Sequence, residues 1–165
     1  MKLNKLIITG LLTSSAFMLV AQPAAARDGK AYSGSACVSM TPSINSNNLG
    51  LNGRGGIINI STTKDVRVVC PAVRDTGASI TGRVRLVDNH TTRDIECILK
   101  SISTTGRELG RDTQESSSSF TNVLPLNFNR VRGAGNAAIY FECVIPRLEA
   151  GRLHSEIVSY EITEL

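Results

Sequence analysis

The chain has 165 residues, with eighteen Lys and Arg against fourteen Asp and Glu, a formal charge of +4 and 41% hydrophobic residues. Four Phe, three Tyr and no Trp leave no platform for stacking bases or sugars, and arginines scattered among acids argue against nucleic acid as a partner. That length suffices for one domain with a real core.

The first predicted element is a leader. Lys2 and Lys5 form a positive n-region, Leu6 to Val20 is mostly apolar, and "AQPAAA" supplies small residues with Ala24 and Ala26 in Ala-x-Ala order. This pattern predicts a signal peptide over residues 1–26, cut before Arg27, and a single domain over 27–165. Thr9, Thr13, Ser14 and Ser15 interrupt the apolar run, which is too short for a comfortable span; no membrane span is expected in the mature form. Sixteen cations and fourteen anions then remain, a mature charge of +2. The expected address is the periplasm or the medium.

Beyond the leader, short β-prone runs alternate with turn signals. A first strand is expected through Ala36 to Met40, then Gly55–Thr62, Asp65–Cys70, Ser79–Asp88, Arg93–Ile102, Thr121–Asn129, Ala137–Ile145 and Glu156–Glu164. The separators are rich in Asn, Asp, Gly, Ser and Thr, and this spacing predicts an all-β fold, an antiparallel sandwich of jelly-roll or Ig-like type with about seven or eight strands. Asp88-Asn89 reads as the turn of a hairpin. Thr104 to Ser119 reads as the longest polar connection and a mobile loop.

Cysteine stands at 37, 70, 97 and 143, with gaps of 33, 27 and 46 residues. Metal sites need ligands at short spacing and redox pairs need C-x-x-C, and neither pattern is present. An even count in an exported chain reads as a disulfide framework. In "DVRVVCP", "RDIECIL" and "AIYFECVIP" each cysteine shares period-2 company with Val, Ile, Leu or Phe, so Cys70, Cys97 and Cys143 should point inward, where a sandwich can join them. Pro71 and Pro146 should end their strands. Three pairings are open to four cysteines, and sequence does not choose among them; we favour Cys37–Cys70 with Cys97–Cys143.

No catalytic, cofactor or metal residues are assigned. His90 sits beside Asp88, and the serines at 116–119 supply hydroxyls, yet no nucleophile motif such as G-x-S-x-G is present. Glu142, Glu161 and Glu164 alternate with core residues as outward-facing surface does, and Asp65, Asp75, Asp88 and Asp94 lack a calcium-loop spacing. "GLNGRGG" follows no expected strand and opens no helix, so it is a poor phosphate cradle. Asn59-Ile60-Ser61 and Asn89-His90-Thr91 match the glycan acceptor pattern. "GKAYSGSAC" and the arginine-bearing "FNRVRGAGN" (Arg130, Arg132) are candidates for a binding rim.

The order "VVCP", "VRLVDNHTTRDIEC", "FECVIP", "SYEITE" behind an export signal resembles a family of small exported bacterial disulfide-containing β-proteins with no assigned activity, over about residues 37 to 164. The resemblance implies fold and address and carries no catalytic residues. Pilins are a more distant comparison, because "RDGKAYSGSAC" lacks the alternating apolar residues of a donor strand. The expectation is therefore a non-catalytic, cofactor-free interaction or structural protein of the bacterial envelope or secretome, its partner unknown. The rival functions are a carbohydrate- or surface-binding module and a small secreted hydrolase.

Overall fold

The computed structural model describes residues 29–40, 46–75, 79–117, 120–133 and 135–165; the leader assigned to residues 1–26 and its cleavage site lie outside them. Eleven strands are formed among the described residues: β1 Gly29–Ser33, β2 Val38–Ser39, β3 Leu49–Leu51, β4 Ile57–Asn59, β5 Val66–Ala72, β6 Ser79–Asp88, β7 Glu96–Ile102, β8 Glu108–Glu115, β9 Phe120–Arg132, β10 Ala138–Ile145 and β11 Glu156–Glu164. They make two antiparallel sheets. One runs β3-β4-β11-β6-β9, with β1 also paired to β11; the other runs β2-β5-β10-β7-β8. Only β3–β4 and β7–β8 are sequence neighbours paired in a sheet, so the chain crosses repeatedly between layers. No described helix is long and apolar enough to cross a membrane.

The core lies between the inward faces, and period-2 alternation decides which residues reach it. Val66, Val68 and Cys70 of β5, Cys97 and Leu99 of β7, and Phe141, Cys143 and Ile145 of β10 are wholly buried on one side. They meet Ile80, Val84 and Leu86 of β6 and Ile157, Tyr160 and Ile162 of β11 on the other. Aromatic rings fill the gap: Phe141 of β10 reaches across to Tyr160 and Phe128 edge-on at 5.7 and 5.2 Å, while Tyr32 stacks on its register partner Tyr160 within the six-stranded sheet at 5.0 Å. The buried Tyr160 hydroxyl donates to Pro71 O at 2.7 Å, joining the two sheets. Burial, with Tyr32 beside it, pushes its pKa up to about 12.

The structure pairs Cys37 with Cys70 and Cys97 with Cys143. Both bridges join neighbouring strands of the five-stranded sheet rather than one sheet to the other. Cys97 and Cys143 are direct register partners on β7 and β10; Cys37 immediately precedes β2, whose Val38 pairs with Val69 of β5.

Three local expectations are corrected. Asp88-Asn89 is not a hairpin turn: β6 and β7 lie in different sheets, and the segment between them carries the chain across the sandwich. The polar stretch from Thr104 is not one loop, because Glu108–Glu115 forms β8 and pairs with the whole of β7. "GKAYSGSAC" is not rim either: Gly29–Ser33 is a strand against β11, followed by a 3₁₀ turn at Gly34–Ala36.

Candidate functional site: a cleft on the six-stranded sheet

Pairing across β4, β11 and β6 aligns Ile58, Glu156 and Val87 in one row. Their neighbours Ile57, Ile157 and Leu86 enter the core, so this row lies on the sheet's outer face. It should meet water, yet Glu156 and Val87 are only 8% and 7% exposed. Two loops cover it. One is the β3–β4 turn and the other the β10–β11 connection; between them lies a cleft of about 370 Å³, lined by Asn52, Gly53, Arg54, Ile58, Val87, Asn89, Leu153, His154 and Glu156.

The first lip is a closed turn. Asn52 Oδ1 accepts the amides of Arg54 and Gly56 at 2.9 and 2.7 Å, and Asn52 N donates to Gly56 O at 3.0 Å. Gly55 takes a φ of 80°, where a side chain is strained. With Oδ1 committed, the Asn52 amide nitrogen donates to the Glu156 carboxylate. The second lip is fixed by Asn89, whose Nδ2 donates to His154 O at 2.8 Å. His154 Nδ1 lies 3.0 Å from Asn59 O; a carbonyl only accepts, so that nitrogen carries the proton and Nε2 is the acceptor of the neutral ring. Leu153, at 73% exposed, stands at the mouth.

Burial pushes the Glu156 carboxyl above the usual carboxylate range, and the nearby Arg54 charge pulls it partly back. The cleft therefore offers donors from Asn52 and Arg54 and acceptors from Glu156 and His154, set around the apolar surfaces of Ile58, Val87 and Leu153. Few polar groups over an apolar floor describe a small-ligand site. The sequence does not reveal it, because its residues come from four segments and only the turn at Asn52 carries a local signal. "GLNGRGG" does follow a strand, β3, but it turns into another strand and presents no helix.

The Ser, His and Asp named from sequence do come together, in a different role. Asp88, fully buried, accepts His90 N at 3.0 Å, Ser155 Oγ at 3.1 Å and Ser116 Oγ. Ser116 in turn accepts Ile95 N at 2.8 Å, and Ser155 accepts Asn89 N at 3.0 Å. The His90 ring turns elsewhere: Nδ1 accepts the amides of Thr92 and Arg93, both at 3.2 Å. Neither serine hydroxyl is aimed at an imidazole, so the cluster is a knot tying three connections and not a triad. Ser116 is buried structure rather than solvated loop.

The other candidates separate. Glu142 and Glu164 are buried, each only 6% exposed, not outward-facing surface as their alternation implied. Glu142 sits between Lys100 and Arg67, and Glu164 accepts Asp75 N at 2.7 Å and faces Lys30. Asp65 accepts Arg147 N at 3.0 Å and pairs with Arg93. No group of three or more potential metal-ligating side chains converges among the described residues. Both glycan acceptor asparagines are built into the fold: Asn59 Nδ2 donates to Lys64 O and Ile145 O at 2.9 and 3.0 Å, and Asn89 to His154 O.

No protein-family model and no characterised protein sequence matches this chain. Its architecture is similar to solved structures at low identity. The CBM36-1 domain of a multidomain xylanase from the hindgut metagenome of Trinervitermes trinervoides aligns with a TM-score of 0.51 at 11% identity, over 82% of this chain and 96% of that one. The mosquito-larvicidal Cry4Aa toxin of Bacillus thuringiensis aligns at 0.52 and 13% identity over 83% of this chain, but only 23% of the toxin. These likenesses establish the fold this chain shares: a two-sheet antiparallel β-sandwich.

Proposed function

We propose that this protein is a non-catalytic binding module for a saccharide, held in the cleft between the β3–β4 and β10–β11 loops. The observation that carries the reading is Glu156: a carboxylate buried on the solvent side of a sheet, held by Asn52 and ringed by Arg54, His154 and three aliphatic surfaces. A sugar presents hydroxyls to such groups and C–H faces to such a floor. The likeness in fold to a xylanase's CBM36-1 domain supports this reading over a purely structural role. Disulfides and the leader pattern support an exported protein acting in the periplasm or medium, and the motif order supports membership of the small exported β-protein family.

The test is binding to an immobilised panel of plant and bacterial oligosaccharides, followed by calorimetry on the best. We expect saturable binding that weakens roughly tenfold in Arg54→Ala, which loses a charge-assisted donor from an exposed loop and leaves the fold intact. Absence of binding across the panel, or binding indifferent to Arg54→Ala and Leu153→Ala together, would refute the assignment. Turnover of a bound oligosaccharide would refute the non-catalytic part.

A further inference from the structure

The cleft is not an isolated feature. Val87, in its floor, begins a column of outward-facing β6 residues that continues through Arg85, Arg83, Thr81 and Ser79, while Leu86, Val84 and Ile80 point into the core. The column spans about 26 Å at ~3.3 Å per residue. Its middle is basic, with Arg85 and Arg83 at successive outward positions. Arg83 and Arg85 share one carboxylate, with their Nη1 atoms 3.0 and 3.8 Å from the two oxygens of Glu161 on β11. Arg83 Nε also donates to Asn127 Oδ1 at 2.8 Å, which ties its guanidinium to β9. At the far end, Arg130 Nε donates to Ser79 Oγ at 2.8 Å, and Arg132 is Ser79's register partner on β9.

The outer face of this sheet therefore sets Arg54, Arg83, Arg85, Arg130 and Arg132 against Glu156 and Glu161 among the described residues. The strands on the outer face of the other sheet carry no such excess. There Arg67, Lys100 and Arg111 are outnumbered by Glu96, Glu108, Glu115 and Glu142. Positive charge is thus concentrated on the face that carries the cleft, while the strands of the other face are nearly balanced. A guanidinium has five N–H donors, and the contacts of Arg83 and Arg85 to Glu161 and Asn127 leave donors for a second carboxylate.

We infer that the ligand is an acidic glycan chain, seated by one unit in the cleft and running along the β6 column with its carboxylates on Arg85 and Arg83. This rests on the saccharide reading of the cleft and adds length and charge to it. An extended chain is required because Arg85 and Arg83 lie along the strand beyond the cleft floor. A carboxylated one is required because the column offers cations at successive outward positions.

Oligogalacturonate and its fully methyl-esterified form have the same length and differ in charge, so calorimetry on the pair isolates the column. We expect the acid form to bind roughly tenfold tighter or more at low salt, with the gap closing as salt screens it. The double variant Arg83→Ala/Arg85→Ala should abolish the gap and leave the esterified form unchanged; Arg83→Lys/Arg85→Lys should keep the salt-dependent part. Both side chains are about half exposed, and thermal unfolding of the variants checks that the fold is kept. Equal affinity for the two forms, or a gap that survives the double alanine variant, overturns the inference while the cleft reading stands. So does equally tight, arginine-dependent binding to single-stranded DNA or to phosphatidylglycerol vesicles. Binding of neither form and of no neutral glycan removes the cleft reading itself, and the inference with it.

Discussion

At the scale of single residues, the cleft and the core make opposite demands. Gly34 is buried in the 3₁₀ turn after β1, where an added Cβ would stand 2.0 Å from the Ile157 carbonyl oxygen on β11. A backbone oxygen cannot yield as a side chain can. Gly34→Ala should cost about 3 kcal/mol or more, whereas Gly53→Ala, which meets nothing within 4 Å, should stay within about 0.5 kcal/mol; denaturant unfolding of the two variants measures both. Glu156 shows the cost of a site. Its folded pKa is raised above the unfolded value by burial, so the favourable state is the protonated one. That contribution is fully present below about pH 4.3, the unfolded carboxyl value, and is lost as pH rises through the folded pKa. Gln keeps the acceptor for Asn52 and has no charge to desolvate. Glu156→Gln should therefore match the parent at acid pH, exceed it in stability at neutral pH, and bind saccharide less well. A stability difference that does not grow with pH between about 3 and 7 would contradict the burial argument.

At the scale of elements, the legible strands were those with an apolar inward face. Val66, Val68 and Cys70, or Ile139, Phe141 and Cys143, announce their phase because burial demands it. β8 announces nothing. Its inward parity holds Gly110, Asp112 and Gln114, since it is an edge strand where the sandwich opens and Asp112 there accepts Asn129 N from β9 at 2.7 Å. β1 hides for a similar reason: Tyr32 supplies nearly all its packing, and its hydroxyl accepts Val73 N and donates to Val73 O at 2.9 and 3.2 Å. The β6–β7 connection resembles a hairpin in sequence because Asp-Asn starts a tight turn and a sheet crossing alike; the difference is what Asp88 touches far away in sequence. Those contacts give a prediction. Asp88→Ala leaves the Ser116 and Ser155 hydroxyls and the His90 amide without their carboxylate acceptor in a fully buried site. Loss of about 3 kcal/mol or more is expected. Ser116→Ala should cost about 1–2 kcal/mol, because Asp88 keeps its other donors. Urea titration of both variants checks the order, and equal costs would mean the knot does not centre on Asp88.

At the scale of the whole molecule, the covalent and the functional layers are different sheets. Both disulfides lie in the five-stranded sheet, while the cleft and the basic column lie on the outer face of the six-stranded one. The bridges nevertheless differ in what they hold. β7 and β10 pair through seven consecutive register partners around Cys97 and Cys143, so noncovalent pairing already specifies that junction. The bridge there acts through the unfolded chain, where a 46-residue separation corresponds to about 4 kcal/mol of lost chain entropy. β2 is different: it pairs with β5 through Val38 and Ser39 alone, at the edge of its sheet, with Val38 and Met40 exposed. Cys37–Cys70 is its anchor. Cys97→Ala/Cys143→Ala should therefore lower global stability by about 4 kcal/mol, a large part of the ~5–15 kcal/mol typical of a domain, while amide exchange in the native state keeps its local pattern. Cys37→Ala/Cys70→Ala should cost a comparable amount overall and in addition release the β5-facing amides of Val38 and Met40 to fast exchange, the second of which donates to Arg67 O at 3.0 Å. Saccharide affinity should be unchanged in either pair variant below its unfolding transition, since no cysteine touches the six-stranded sheet's outer face. Exchange that rises locally around Cys97 and Cys143, with β2 still protected after loss of its bridge, would reverse the division of labour argued for the two bonds.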